Sequence, residues 1–147
     1  MNKGTLIFFC GKMGVGKSTK AEAIANETKA ILISEDDWLA AIYPNLISTI
    51  EDYKKYSDLL KPQIKKPTQS ILQIGQDVLL DFPANTIQQR KWLKEISTEI
   101  DAPDILYFLD VSNEVCLEKI KKRVTEEPLR QKTDTNEIFF QMTRYFN

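Results

Sequence analysis

Residues 6–25 read LIFFCGKMGVGKSTKAEAIA, and few patterns leave a chain less freedom. An apolar run breaks into glycines, a lysine and two hydroxyls, and then into a helical pattern. Gly11, Lys12, Met13, Gly14, Val15, Gly16, Lys17 and Ser18 fit G-x-x-x-x-G-K-[ST] in full, with a buried-strand pattern before them and a helix pattern after. Glycines let the backbone turn sharply, so that successive N–H groups point inward and form an anion nest. The helix that follows adds the positive end of its dipole and its unpaired first-turn N–H groups. Lys17 is expected to reach the β- and γ-phosphates of a nucleotide as a point charge. Ser18 would offer its hydroxyl to Mg²⁺, and Thr19 would bond the α-phosphate. The segment from Gly11 to Thr19 is therefore a candidate site for ATP and Mg²⁺.

Short apolar runs alternate with helical patterns along the rest of the chain. TLIFFC (5–10), AILIS (30–34), DVLLDF (77–82) and DILYFLD (104–110) are continuous and apolar, as parallel strands covered on both faces should be. Between them, 18–28 carries Ala21, Ile24 and Ala25 at helical spacing. Residues 85–100 place Ile87, Trp92, Leu93, Ile96 and Ile100 on one stripe. After the fourth strand Val115, Leu117 and Ile120 predict another helix, with Ser112 or Asn113 as its cap. Strand and helix in alternation imply an α/β fold with a parallel sheet and right-handed crossovers. A length of 147 residues makes this one domain, spanning 1–147.

Two stretches exceed that simple plan. Residues 38–76 are longer than a crossover needs and read as two helices, with Pro62 and Pro67 near their junction. Their lysines form either a solvated face or part of a helical insert facing the substrate. The C-terminal TDTNEIFFQMTRYFN opens on Asp134 and Glu137 in a capping-box-like spacing. It continues with Ile138, Phe139, Met142, Tyr145 and Phe146 as the face of a core-packing helix.

Composition narrows the chemistry. Twenty Lys and Arg against 21 Asp and Glu leave a net charge of −1, so no global field favours nucleic acid or a membrane, a local basic cleft aside. Nucleic acid is the less expected partner. With no histidine at all, His-based triads and His-ligated zinc are excluded. Cys10 and Cys116 fall within a strand and a helix pattern and read as buried free thiols. The N-terminal apolar run is too short for a signal peptide, and no segment has eighteen consecutive apolar residues. A cytoplasmic location is expected.

Polar residues at the carboxyl ends of the strands then suggest a reaction, because ligands of open α/β sheets bind at that edge. SEDDW, residues 34–38, follows the second strand. A carboxylate there could take the proton of an attacking hydroxyl, with Asp36 favoured over Asp37 and Glu35 last. Acidic residues also commonly start helices, so one of the three serves as an ordinary helix cap. Asp81 ends the third strand after four apolar residues, a Walker-B-like arrangement able to hold a Mg²⁺-bound water. Asn85 or Thr86 is better placed than Asp81 to cap the next helix.

The blocks GKMGVGKST, ISEDDWL, LLDFPANTIQQR and LYFLDVSNEVCLEKIKKR, in this order, resemble the small P-loop kinases. Within these the chain is similar to the polynucleotide-kinase and zeta-toxin-like ATP-binding proteins catalogued as AAA-family ATPases. The likeness covers residues 5 to about 125. It implies a three-layer P-loop NTPase fold with a parallel sheet of four or five strands, ordered 2-3-1-4, and helices on both faces. It implies a kinase that transfers the γ-phosphate of Mg-ATP to a hydroxyl of a small molecule, with Lys17 and Asp36 catalytic and Ser18 and Asp81 organising the metal.

In that family a lid follows the fourth strand, here about 119–133. Lys119, Lys122, Arg123 and Arg130 are its candidates for neutralising the transferring phosphoryl group, Arg123 first and then Arg130. Lys121 and Lys122 read better as a solvated helix face. Two departures bear on the substrate. Leu39 stands where polynucleotide-kinase-like members often carry an arginine for a substrate phosphate. Ala84 follows Pro83 where the adenylate-kinase-like LLDGFPR carries the arginine that grips a nucleotide monophosphate. Arg90 reads as facing the substrate or the surface. The aromatic pair Tyr145 and Phe146 packs on the core or forms a dimer contact, so a monomer or a homodimer is expected. The competing reading is an ATP-hydrolysing switch or binding module without an acceptor. Such a switch has no use for a hydroxyl-activating carboxylate beside the loop.

Overall fold

In the computed structural model, which describes residues 2–11 and 17–109, strands and helices alternate as the apolar runs require. The order is β1 (Leu6–Gly11), α1 (Lys17–Thr28), β2 (Ile31–Ser34), α2 (Glu35–Ile42), α3 (Ile50–Gln73), β3 (Val78–Asp81), α4 (Ile87–Thr98) and β4 (Asp104–Leu109). The sheet runs β2-β3-β1-β4, with every pairing parallel. This is the expected P-loop NTPase α/β topology. The expected lid, the last two helices, Cys116 and any fifth strand lie outside the described residues.

Alternation along the strands sorts the core into two layers. Leu6, Phe8 and Cys10 face one way with Val78, Leu80 and Phe82, and pack with Leu39, Leu60, Ile64, Leu93 and Ile96 of α2, α3 and α4. Ile7, Phe9 and Leu79 face the other way and meet Ala21, Ile24 and Ala25 of α1. The small alanines let α1 lie close to the sheet. Each fully buried leucine contributes about 2 kcal/mol of apolar burial, so β1 and β3, buried along their whole length, are the centre of the fold. Coverage of both faces does not hold for β2, an edge strand whose residues are half-buried or exposed. On the other edge Ile105 to Phe108 of β4 also remain accessible.

The expected break at the prolines is corrected. Pro62 and Pro67 lie inside a single helix, the 24-residue α3. The junction falls earlier, at 43–49, where Asn45 takes φ 63°. The reason is geometric. The buried stripe of α3 is Ser57, Leu60, Ile64, Thr68 and Leu72, and both prolines are on the exposed face. A carbonyl that loses its partner there is hydrated rather than stranded. On α4, Leu93 and Ile96 are buried and Trp92 packs on Phe82, whereas Ile87 is exposed, since it occupies the first helical position at the sheet edge.

Carboxylates at the amino ends of the strands are structural. Asp77 accepts from the Thr5 N–H at 2.8 Å. Asp104 accepts from Ser97 Oγ at 2.6 Å and pairs with Lys94 at 3.0 Å. On α3, Lys65 and Gln69 reach Glu99 at 2.8 and 3.1 Å, tying the C-terminal half of that helix to the end of α4.

Thr68 is fully buried and its Oγ1 has no hydrogen-bond partner among the described residues. A stranded hydroxyl is a cost that an isosteric methyl avoids. Thr68→Val should raise the free energy of unfolding by about 1 kcal/mol, seen in urea titration as a higher midpoint at unchanged slope.

Candidate active site

Parallel register gathers distant segments at one edge. Ser34 of β2 stands opposite Asp81 of β3, and Leu80 stands opposite Phe8 of β1. Asp81 is thus level with Phe9, two residues before Gly11 closes β1. Neighbouring strands are about 4.8 Å apart. The end of β1, the Asp81 carboxylate and the start of α2 accordingly form one row across three adjacent strands.

Gly11 is buried at the end of β1, and α1 begins at Lys17. A strand before and a helix after are the flanking elements that the phosphate-loop pattern requires. Lys12, Met13, Gly14, Val15 and Gly16 lie outside the described residues, as do the side chains of Lys17 and Ser18. Thr19, in the first turn of α1, is exposed. Arg123, Arg130, Lys119, Lys121 and Lys122 also lie outside.

One anchor of the loop escaped the sequence reading. The Gly11 N–H donates to Asn85 Oδ1 at 2.9 Å, fastening the start of the loop to the segment after β3. Asn85 is free for this because Thr86 caps α4. The Thr86 hydroxyl accepts from the Gln89 N–H at 3.1 Å. Gln89 Oε1 in turn accepts from the N–H groups of Asn85 and Thr86, at 2.9 and 3.1 Å. This reciprocal capping box orients Asn85 and leaves Asp81 without a capping duty. The signal was present in ANTIQQ, but sequence alone does not say which polar residue turns back to the loop.

Arg90 is turned inward. Its Nη1 donates to the Ala84 carbonyl at 2.9 Å and lies 3.8 Å from Cys10 Sγ. It braces the tips of β1 and β3. Cys10 itself is buried and outside any disulfide.

The three acidic residues of α2 separate by face. Asp36 and Asp37 are exposed, whereas Glu35 is 1% exposed. Ser34 is the helix cap, its hydroxyl accepting from the Asp37 N–H at 3.4 Å. None of the three carboxylates is needed as a cap. Glu35 turns to α3, where Ser57 Oγ donates to Oε2 at 2.7 Å and Tyr53 OH donates to Oε1. Burial pushes the Glu35 carboxyl above the usual glutamate range, against the two hydrogen bonds that favour its charged form. Burial and the adjacent carboxylate also push the Tyr53 hydroxyl well up.

Asp81 suits Mg²⁺ by chemistry and position. It is a hard oxygen donor, 9% exposed, at a strand tip beside β1. Among the described residues no three His, Cys, Asp or Glu converge as metal ligands. Mg²⁺ requires no such cage, since one or two protein oxygens suffice beside water and phosphates. No described helix is long and apolar enough to cross a membrane.

Because its pKa is raised in the folded protein, Glu35 holds its proton more tightly there than in the unfolded chain. Its contribution to stability is fully present below the ordinary glutamate pKa and is lost as pH rises through the raised value. Glu35→Gln should flatten that decline, measured as the midpoint of thermal unfolding between pH 4 and 8. Asn85→Ala should weaken Mg-ATP binding about tenfold by calorimetry, the scale of one lost hydrogen bond to the loop backbone.

Comparison with known proteins agrees with this geometry. Residues 6–147 match the AAA domain family AAA_33. An adenylate kinase of Prochlorococcus marinus (strain AS9601) is 26% identical over 138 residues, covering 87% of this chain and 76% of that protein. The Pnkp1/Rnl/Hen1 RNA repair complex contains a chain that superposes with a TM-score of 0.72 at 16% identity, covering 99% of this chain and 46% of that one. The Mycobacterium tuberculosis APS kinase CysC, in complex with AMPPNP and APS, superposes with a TM-score of 0.65 at 16% identity, covering 94% and 78%. With the sheet order and this match over nearly its whole length, the chain belongs to the AAA domain family AAA_33 and has the fold of the P-loop kinases.

Proposed function

We propose that the protein is a kinase that transfers the γ-phosphoryl group of Mg-ATP to a hydroxyl of a small molecule. The observation that carries this reading is the exposed Asp36, two residues beyond a Ser34 that pairs with Asp81, on the sheet edge where the phosphate loop begins.

An alcohol is a poor nucleophile with its proton in place. A carboxylate within reach accepts that proton as the hydroxyl oxygen attacks phosphorus, while the bond from the γ-phosphorus to the bridging oxygen breaks and ADP leaves. An acceptor that is already a phosphate needs no base and would be repelled by this surface. The first turn of α2 holds Glu35, Asp36 and Asp37 and no basic residue. Ala84 and Leu39 stand where arginines would grip a substrate phosphate. These features favour a neutral or cationic hydroxyl compound over AMP, although an adenylate kinase is among the relatives.

Lys17 and the backbone from Gly11 to Thr19 would bind the phosphates, and Ser18 and Asp81 would hold Mg²⁺, which when bound supplies charge neutralisation on the transferring group. Arg123 and Arg130 are the proposed lid cations. The helices of 38–76 would form the acceptor side, and closure over them would exclude water.

The test is mass spectrometry of a metabolite extract incubated with protein and Mg-ATP, followed by kinetics with the acceptor it reveals. Asp36→Asn should lower transfer by about 100-fold or more, the usual scale of a lost general base, with Mg-ATP affinity held within about threefold. Steady ADP formation that needs no acceptor, survives Asp36→Asn and vanishes in Lys17→Ala would instead make this an ATP-hydrolysing switch.

A further inference from the structure

Beside Asp36 sits a carboxylate that the proposed chemistry does not use. Glu35 is 1% exposed, and a buried carboxylate is costly where an apolar residue of similar size would pack without penalty. Its partners are both on α3, one turn apart, at Tyr53 and Ser57. The charged groups that face it are Asp36 on its own helix and Lys61 on α3.

The arrangement matters because of what else holds α2. The helix has eight residues, fewer than the roughly 12–15 at which isolated helices become even marginal. Glu35 and Leu39 are its buried residues, a pair four apart on one face. Leu39 contributes apolar contact, which has no direction. The Glu35 hydrogen bonds do have direction. Asp36 is the next residue, about 100° around the helix, so the angle at which Glu35 is clasped dictates the angle at which Asp36 leaves α2. The clasp is itself fixed to the core. Beyond Ser57, α3 is buried through Leu60, Ile64 and Leu72 and tied to α4 through Lys65 and Gln69.

We propose that Glu35 is a positioning residue. The hydrogen bonds from Tyr53 and Ser57 to its carboxylate lock the rotation of α2 against α3 and so set where Asp36 stands at the sheet edge. The clasp is independent of any reaction; its consequence for catalysis rests on Asp36 acting as the base proposed above.

The experiment therefore reads the two apart. Amide hydrogen exchange is followed in residues 36–42 of α2 and 87–98 of α4, in the wild type and in Glu35→Met, Glu35→Gln, Tyr53→Phe and Ser57→Ala. Glu35→Met should accelerate exchange in α2 about tenfold, the effect of losing a net hydrogen bond to a charged group on a local opening equilibrium, and leave α4 unchanged. Glu35→Gln, which can still accept from Tyr53 and bond Ser57, should stay within about threefold. Tyr53→Phe and Ser57→Ala, each removing one bond, should give smaller accelerations confined to α2.

Unchanged α2 exchange in Tyr53→Phe and Ser57→Ala overturns the proposal even where Glu35→Met does not fold. Acceleration shared equally by α2 and α4 also overturns it, since that marks a general loss of stability. In parallel, ADP formation from Mg-ATP with water as acceptor should show kcat lowered about tenfold in Glu35→Met, with KM for ATP unchanged and kcat largely restored in Glu35→Gln. ADP formation indifferent to Asp36→Asn overturns the kinase reading, while the exchange measurements still decide the clasp.

Discussion

The parallel hydrogen bonding of β3 between β1 and β2 is the constraint on which the rest depends. Because β3 enters between its two predecessors, its backbone groups are shared between two ladders, one to β1 and one to β2. The register that results aligns Ser34 with Asp81 and Leu80 with Phe8. Parallel strands deliver all their carboxyl ends to one edge, so residues far apart in sequence meet there without any side-chain interaction being needed to collect them. The phosphate loop, the Asp81 carboxylate and the acidic start of α2 are neighbours because of backbone register.

That polarity divides the acidic residues of the chain into two kinds. At the amino ends of the strands, Asp77 and Asp104 are consumed by hydrogen bonds and an ion pair that fasten strand starts. At the carboxyl ends, caps come from elsewhere. Ser34 starts α2 and Thr86 starts α4, so neither Asp36 nor Asp81 is the cap of these helices. Neutral hydroxyl caps satisfy first-turn N–H groups about as well as carboxylates do.

How much of this the sequence discloses follows from the range of each interaction. Four apolar runs yielded the strands, their order by resemblance, and the phosphate loop with its context, because alternation and glycine turns are local signals. The sequence narrows the cap of α4 to Asn85 or Thr86, and the structure shows it to be Thr86 in a capping box with Gln89. The unbroken course of α3 was not legible, since a proline ends a helix only where its lost hydrogen bond cannot be hydrated. Which face Pro62 and Pro67 occupy depends on packing from Leu60 to Leu72. The bond from Gly11 to Asn85 spans 74 residues, and Glu35 reaches Tyr53 and Ser57 over 18 and 22. Neither leaves a periodic trace. That the Glu35 carboxylate faces α3 is likewise invisible in SEDDW.

The two hidden contacts share a logic. Asn85 secures the end of β1 to the β3–α4 segment, and Glu35 secures the start of α2 to α3. In both, a polar group reaches back from just beyond a strand tip to a partner fixed by the core. Strand register brings groups to within a few ångströms, but phosphoryl transfer in line requires tighter placement than that. Apolar packing of Leu39 or Phe82 resists separation and tolerates rotation. A hydrogen bond with one acceptor direction does not. The burial of a carboxylate beside the exposed Asp36, at a cost that any aliphatic residue would avoid, is intelligible on this basis: the fold gives up some stability at α2 to fix an angle.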